Sequence, residues 1–261
     1  MSQKIYQVDA FAEEIFKGNP AAVCPLKSWL KDDIMQKIAM ENNLSETAFC
    51  VNDGDHYQIR WFTPTVEVDL CGHATLATAY VLFYHEKHEG NKIRFKSLRS
   101  GELSVTRSGE LLTLNFPADV IAQAEPNTLT GDCFNISPVQ IFKGKTDYML
   151  VFRSETEIKL LKPNLNTIKA LDCRGVIVTA PGENVDFVSR FFGPQSGVDE
   201  DPVTGSAHTT LTPYWSQRLG KDSLSAIQLS ARKGFLYCKI KGDRVEISGE
   251  CRLYLKGEIF I

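Results

Sequence analysis

The sequence predicts a mixed α+β protein organised as a two-fold internal repeat, and three observations lead there. Short strand-like runs bounded by turn signals recur along all 261 residues. Two stretches, Leu70–His85 and Pro202–Gln217, contain no Asp, Glu, Lys or Arg; the first reads as a helix apolar nearly all round and the second as another buried helix. Such helices belong inside a protein, surrounded by sheet. Their starts also align: Val68-Asp69-Leu70-Cys71-Gly72-His73-Ala74 lies against Asp201-Pro202-Val203-Thr204-Gly205-Ser206-Ala207. Each has an Asp upstream, then a Gly, a polar residue and an Ala. The expected domains are residues 1–117 and 118–261, with the C-terminal strand as an optional complement to the first.

In chain order, Lys4–Phe11 reads as a strand, followed by a turn at Lys17-Gly18-Asn19-Pro20 and a strand at Ala21–Cys24. Ser28 is a candidate N-cap for a helix with Leu30, Ile34 and Ile38 at every fourth position, ending near Asn42-Asn43. The next strand alternates, with Leu44, Glu46, Ala48 and Cys50 on one face. Gln58–Thr63 precedes the first uncharged helix, and Lys92–Phe95, Gly101–Arg107 and Leu111–Phe116 follow it. The second half repeats the plan with strands at Val139–Phe142, Tyr148–Phe152, Gly175–Thr179 and Phe187–Phe192. Pro213 should bend the second uncharged helix, and closing strands run from Ile227 to Ile261.

Composition narrows the function. Hydrophobic residues at 43% and charged residues at 23% are ordinary for a globular chain that buries a sizeable core. A net charge of −3 gives no reason to expect nucleic acid or an anionic membrane surface as partner. No apolar run is long enough to span a bilayer, and the N-terminus lacks the apolar core of a signal peptide. Seven scattered cysteines without a Cys-x-x-Cys fit neither a disulfide framework nor a structural zinc site. The cytoplasm is the expected location. The absence of Walker, Rossmann and nucleophile-elbow motifs leads us to expect no cofactor and no metal.

Helix starts offer backbone N–H groups and partial positive charge, and so bind carboxylate or phosphate. Gly72, Gly205 and the adjoining Ser206 stand at two such starts, which the repeat would bring to opposite sides of one inter-domain cleft. The plainer reading is that the glycines only permit tight turns. Glu46, on an apolar strand face, would be desolvated and suited to proton transfer near neutrality, or else a strand-end residue facing solvent. His73, in the first turn of its helix, can hydrogen-bond a substrate or Glu46, and the helix end should favour its neutral form. As a lone histidine it can equally be a satisfied core residue. Asp201 reads as part of a solvated acidic turn or as a carboxylate for a substrate ammonium or hydroxyl. His85 and His88 read as a solvated helix end.

Together these segments resemble the phenazine-biosynthesis isomerase (PhzF-like) family, related in fold to diaminopimelate epimerase and proline racemase. The resemblance runs through Val8-Asp9-Ala10-Phe11, Gly18-Asn19-Pro20-Ala21-Ala22-Val23, Asn43-Leu44-Ser45-Glu46-Thr47-Ala48-Phe49 and Arg60-Trp61-Phe62-Thr63-Pro64. It continues through Cys71-Gly72-His73-Ala74-Thr75, Ser189-Arg190-Phe191-Phe192, Glu200-Asp201-Pro202-Val203-Thr204-Gly205-Ser206-Ala207-His208 and Tyr214-Trp215. It implies two like domains, each a rolled sheet around a central helix, commonly in a homodimer. It also implies isomerisation of a small carboxylate without metal or organic cofactor, with Glu46 shuttling the proton and His73 and Asp201 positioning the substrate.

The related epimerases place one thiol at each helix start. Here the first position holds Cys71 but the second holds Thr204, whose hydroxyl is far too weak an acid to act as the matched base. Two-thiol racemisation is therefore disfavoured. A Cys71-dependent epimerase or dehydratase remains an alternative, and so does a non-enzymatic ligand-binding protein on the same scaffold.

Overall fold

The computed structural model describes residues 2–125 and 131–261. In chain order the elements are β1 Ser2–Ala10, β2 Asn19–Leu26, α1 Asp32–Asn42, β3 Glu46–Asn52, β4 Tyr57–Phe62, β5 Glu67–Val68, α2 Gly72–Tyr84, β6 Lys92–Ser97, β7 Gly101–Ser108 and β8 Leu111–Pro117. There follow β9 Ala122–Gln123, β10 Gln140–Lys143, β11 Asp147–Val151, α3 Glu155–Leu160, α4 Leu165–Lys169, β12 Gly175–Pro181 and β13 Phe187–Gly193. The chain closes with β14 Val198–Asp201, α5 Ala207–Leu219, β15 Ser223–Gln228, β16 Gly234–Lys241, β17 Arg244–Gly249 and β18 Cys251–Phe260. The fold is α+β, mostly sheet.

Two compact units emerge, Met1–Asn115 with Ser248–Ile261, and Phe116–Ile247. The boundary expected at 117/118 therefore needs a second crossing. Residues after 248 return to the first unit because β18 pairs antiparallel with β1 along its whole length, from Ser2 opposite Phe260 to Ala10 opposite Cys251.

In the first unit the pairing order is β18-β1-β2-β3-β4-β6-β7-β8, with β5 sharing the β4 edge. The β2–β3 and β4–β6 pairs are parallel. Helix α2 packs against β1, β2, β3, β7 and β18, and ten of its side chains are buried. A helix with no charged residue is stable only in such a surround, since every face removes apolar area from water. Helix α1 covers the other side of β3, where Met35, Ile38 and Ala39 meet Phe49 and Phe62. Covered on both sides, Thr47 through Cys50 are all buried. The N-cap of α1 is Lys31, not Ser28, and its first turn instead carries Asp32 and Asp33, which complement the helix dipole.

The second unit repeats this connectivity. Strands β11 and β12 are parallel as β2 and β3 are, and β13 pairs with β12, β14 and β15 as β4 does with β3, β5 and β6. Helix α5 stands where α2 does and packs on β15 and β16. It begins at Ala207, five residues after Pro202, because Thr204–Ser206 form a tighter turn with bonds Ala207 N–H to Thr204 O and His208 N–H to Gly205 O. Pro213 removes the N–H that Thr209 O would accept, and Asp119 N–H supplies that bond at 3.1 Å. A core of Ile141, Leu150, Phe152, Ile158, Val176, Val178, Val188 and Phe192 holds α3 and α4 to β12 and β13.

Candidate active site

Parallel pairing explains the site in the first unit. It puts the starts of β2 and β3 side by side, with Ala21 opposite Glu46. The antiparallel β4 ends beside them, Phe62 opposite Thr47, and β5 turns back on β4 through Val68 opposite Trp61. Helix α2 begins four residues after β5. Residues from β2, β3 and the start of α2 thus converge at one end of the sheet.

Glu46, Cys71 and His73 meet there, each offering a ligand-type atom within 4.8 Å of the others. His73 Nε2 lies 3.1 Å from Glu46 Oε2, with the two side chains 6% and 17% exposed. Glu46 Oε2 is buried, and among the described residues it meets no donor in hydrogen-bonding geometry. On the other edge of the imidazole, Nδ1 lies 3.2 Å from Asn19 Nδ2 and 3.5 Å from Cys71 Sγ. An Asn amide can meet a bare Nδ1 with its NH2 or a protonated one with its oxygen.

Burial lowers the His73 pKa, but Cys71 and Glu46 outweigh it and leave the imidazole well above its ordinary value. The neutral form expected from the helix end is thereby overturned: a carboxylate at 3.1 Å acts more strongly than the partial charge of a helix terminus. Burial pushes the Cys71 thiol up to about 11, assisted by the Glu46 charge and opposed by His73. Cys71 is therefore protonated near neutrality despite its place at the N-cap of α2. No acidic residue lies in the first turn of α2, which leaves its positive end available to an anion.

Asn19 was not singled out from the sequence, although its Gly-Asn-Pro turn was visible. Gly18 has φ +65°, and a Cβ there would stand 2.2 Å from the Ala10 carbonyl oxygen. Only glycine fits this turn, which delivers Asn19 to the head of β2.

In the second unit the corresponding position holds a different set. Thr204 Oγ1 donates to Asp201 Oδ2, and Gln228 ties the segment together by accepting from Thr204 N–H at 2.9 Å and donating to Asp201 O at 2.8 Å. Ser206 Oγ accepts from Arg174 Nη1 at 2.9 Å and makes no cap bond to α5. Arg174 also grips the buried Asp147 through Nε and Nη2. Burial opposes the Arg174 charge, and Asp147 more than restores it. Gly205 lies in the turn before α5. Arg174 and Gln228 carried no local sequence signal. His85 stacks on Tyr6 and His88 pairs with Tyr57, neither near Glu46 in the bonds they make.

Comparison with known proteins identifies the family and the fold. The family model described as "Phenazine biosynthesis-like protein" matches residues 8–257. A Pseudomonas aeruginosa protein named as an uncharacterized isomerase is 53% identical over 262 residues, covering 100% of both chains. The crystal structure of a PhzF-family phenazine biosynthesis protein from Enterococcus faecalis superposes with TM-score 0.97 at 48% identity, covering 100% of each chain. A hydroxyproline epimerase from Agrobacterium vitis shares the fold alone, with TM-score 0.61 at 9% identity, covering 99% of this chain and 92% of that one. The chain belongs to the phenazine biosynthesis-like (PhzC-PhzF) family and is an enzyme of the isomerase class.

Proposed function

We propose that the chain moves a proton between atoms of a small carboxylate substrate, without cofactor, and that Glu46 is the general acid–base. The observation that carries this reading is the buried Glu46 Oε2, which lacks a hydrogen-bond donor in good geometry yet stands 3.1 Å from His73. Such an oxygen is within reach of a ligand proton and has a nitrogen partner beside it, which supports an acid–base role. The α2 start, with Gly72 and His73, holds the substrate carboxylate. Asp201, Gly205 and Ser206 supply further substrate contacts in this proposal. A homodimer and a cytoplasmic setting belong to the same reading; the seven cysteines are all free, as suits a reducing compartment.

The alternative, a Cys71-based epimerase or dehydratase, requires a thiolate that burial disfavours. A ligand-binding protein without catalysis would bind but exchange no proton. Small carboxylates and cyclic amino acids are screened by thermal shift, since a ligand of the native state raises its stability. The ligands found are then incubated with the protein in heavy water. Deuterium at carbon in the recovered ligand supports catalysis; binding without label in any of them overturns it.

A further inference from the structure

The geometry points to a second property of the same cluster: Glu46, Cys71 and His73 form a binding site for a thiophilic divalent cation of the Zn²⁺ class. The three side chains supply one carboxylate oxygen, one sulfur and one imidazole nitrogen, the donor types zinc prefers. His73 Nε2 is the nitrogen concerned, because it is the one beside Glu46 Oε2, at 3.1 Å; it lies 4.0 Å from Cys71 Sγ, to which Nδ1 is nearer at 3.5 Å. All three donor atoms lie within 4.8 Å of one another. Bonds of about 2.0 Å to N and O and about 2.3 Å to S, at tetrahedral angles, require donor separations of about 3.3–3.6 Å. The observed separations, 3.1 Å, 4.0 Å and a third within 4.8 Å, lie on either side of that range, and binding requires the side chains to turn to close the set.

The surroundings favour binding as well. With Nε2 on the cation, Nδ1 carries the remaining imidazole proton and needs an acceptor. Asn19, whose amide nitrogen is now 3.2 Å from Nδ1, provides it once its amide turns over to present the oxygen, the kind of outer-shell partner that zinc-bound histidines ordinarily have. Cys71 and His73 come from one helix start and are held by α2 packing, which fixes two of the three donors in advance. Three protein donors leave one tetrahedral corner for water or an added ligand. Zn²⁺ entry releases the Cys71 thiol proton, and the Nε2 proton where present, to solvent. The bound thiolate and carboxylate then balance the cation charge.

Binding itself does not depend on the isomerase reading. Its consequence does: a cation on Glu46 occupies the proposed base and would block proton transfer reversibly. The test is Co²⁺ titration of the purified chain, followed by absorption, with Zn²⁺ as competitor. We expect one equivalent to bind, with sulfur-to-cobalt charge-transfer and tetrahedral ligand-field bands that Zn²⁺ abolishes. Cys71→Ser should remove the charge-transfer band, Glu46→Gln and His73→Gln should each weaken binding at least tenfold, and Cys173→Ser should change nothing. An unaltered charge-transfer band in Cys71→Ser, or no saturation below roughly 1 mM, the range of weak adventitious contacts, overturns the proposal. Tight binding that leaves deuterium exchange intact would retain the metal site and refute Glu46 as the base.

Discussion

His73 Nε2 lies 3.1 Å from Glu46 Oε2 at the head of α2, and the repeat puts Ser206 in the same place at the head of α5, where Arg174 Nη1 donates to it. One connectivity thus carries an anionic partner in one unit and a cationic partner in the other. The first arrangement suits taking a proton. The second suits fixing a hydroxyl: with a guanidinium N–H on one lone pair, the Ser206 hydroxyl keeps its own proton to donate.

Glu46→Gln keeps the size of the side chain and removes its basicity. Proton transfer should fall on the order of a hundredfold or more, the usual contribution of general acid–base catalysis, while ligand affinity changes little. Cys71→Ala should be far milder. Exchange rates in heavy water with the ligand identified by thermal shift check both. Near-wild-type exchange in Glu46→Gln beside an inactive Cys71→Ala would transfer the chemistry to the thiol.

Arg174→Ala leaves the Asp147 carboxylate, 3% exposed, without its forked partner. Leaving that buried carboxylate uncompensated should cost about 3 kcal/mol in a urea unfolding series. Arg174→Lys keeps a charge for Asp147 but cannot bridge to Ser206 in the same fork, so it should retain most of the stability and lose ligand affinity. Equal stability in all three proteins would show that Asp147 finds another partner.

His208 predicts the acid limb of the stability curve. Its Nδ1 donates to Thr204 O at 2.9 Å, and burial lowers its pKa from 6.5 to about 4. Between those values the unfolded chain binds a proton that the folded chain refuses. Stability from this residue is therefore full above pH 6.5 and lost as pH falls toward 4. The loss amounts to roughly 3 kcal/mol, since each tenfold drop in proton affinity is worth about 1.4 kcal/mol. Thermal melts of the protein and of His208→Gln across this range should converge as the pH drops, and a constant gap would contradict the assignment.

Gly18→Ala should cost about 2 kcal/mol or more, from the left-handed backbone together with the close Ala10 carbonyl. Gly54→Ala is the control, with φ +77° and nothing within 4 Å, and should show only the backbone part, about 1 kcal/mol. Circular-dichroism melts of the two variants separate the steric contribution from the conformational one.

The repeat was legible because charge-free helical stretches have few other places to be: α2, and α5 up to Gln217, were marked by the absence of Asp, Glu, Lys and Arg. Glu46 and His73 were legible as candidates, one from its strand and one from its helix start. Their contact was one of two open to His73, and what selects it is the parallel pairing of β2 with β3, which no local pattern encodes. Asn19, Arg174 and Gln228 escaped for the same reason, being ordinary polar residues whose roles arise only from pairing. That both faces of β3 would be covered could not be read from its alternation, because it depends on α1 packing against Phe49 and Phe62. Ser28 failed as a cap because the extended segment through Lys31 carries the chain further before it coils.

The pairing of β1 with β18 has a consequence for synthesis on the ribosome. A chain emerging N-terminus first exposes β1 long before its neighbour exists, whereas residues 116–247 are contiguous and can close on themselves. The unit that begins the polypeptide is thus the one completed last. Until Ser248–Ile261 leaves the exit tunnel, one edge of β1 offers its unpaired N–H and C=O groups to any strand that reaches it, and that interval is when nascent chains are most prone to pair with one another.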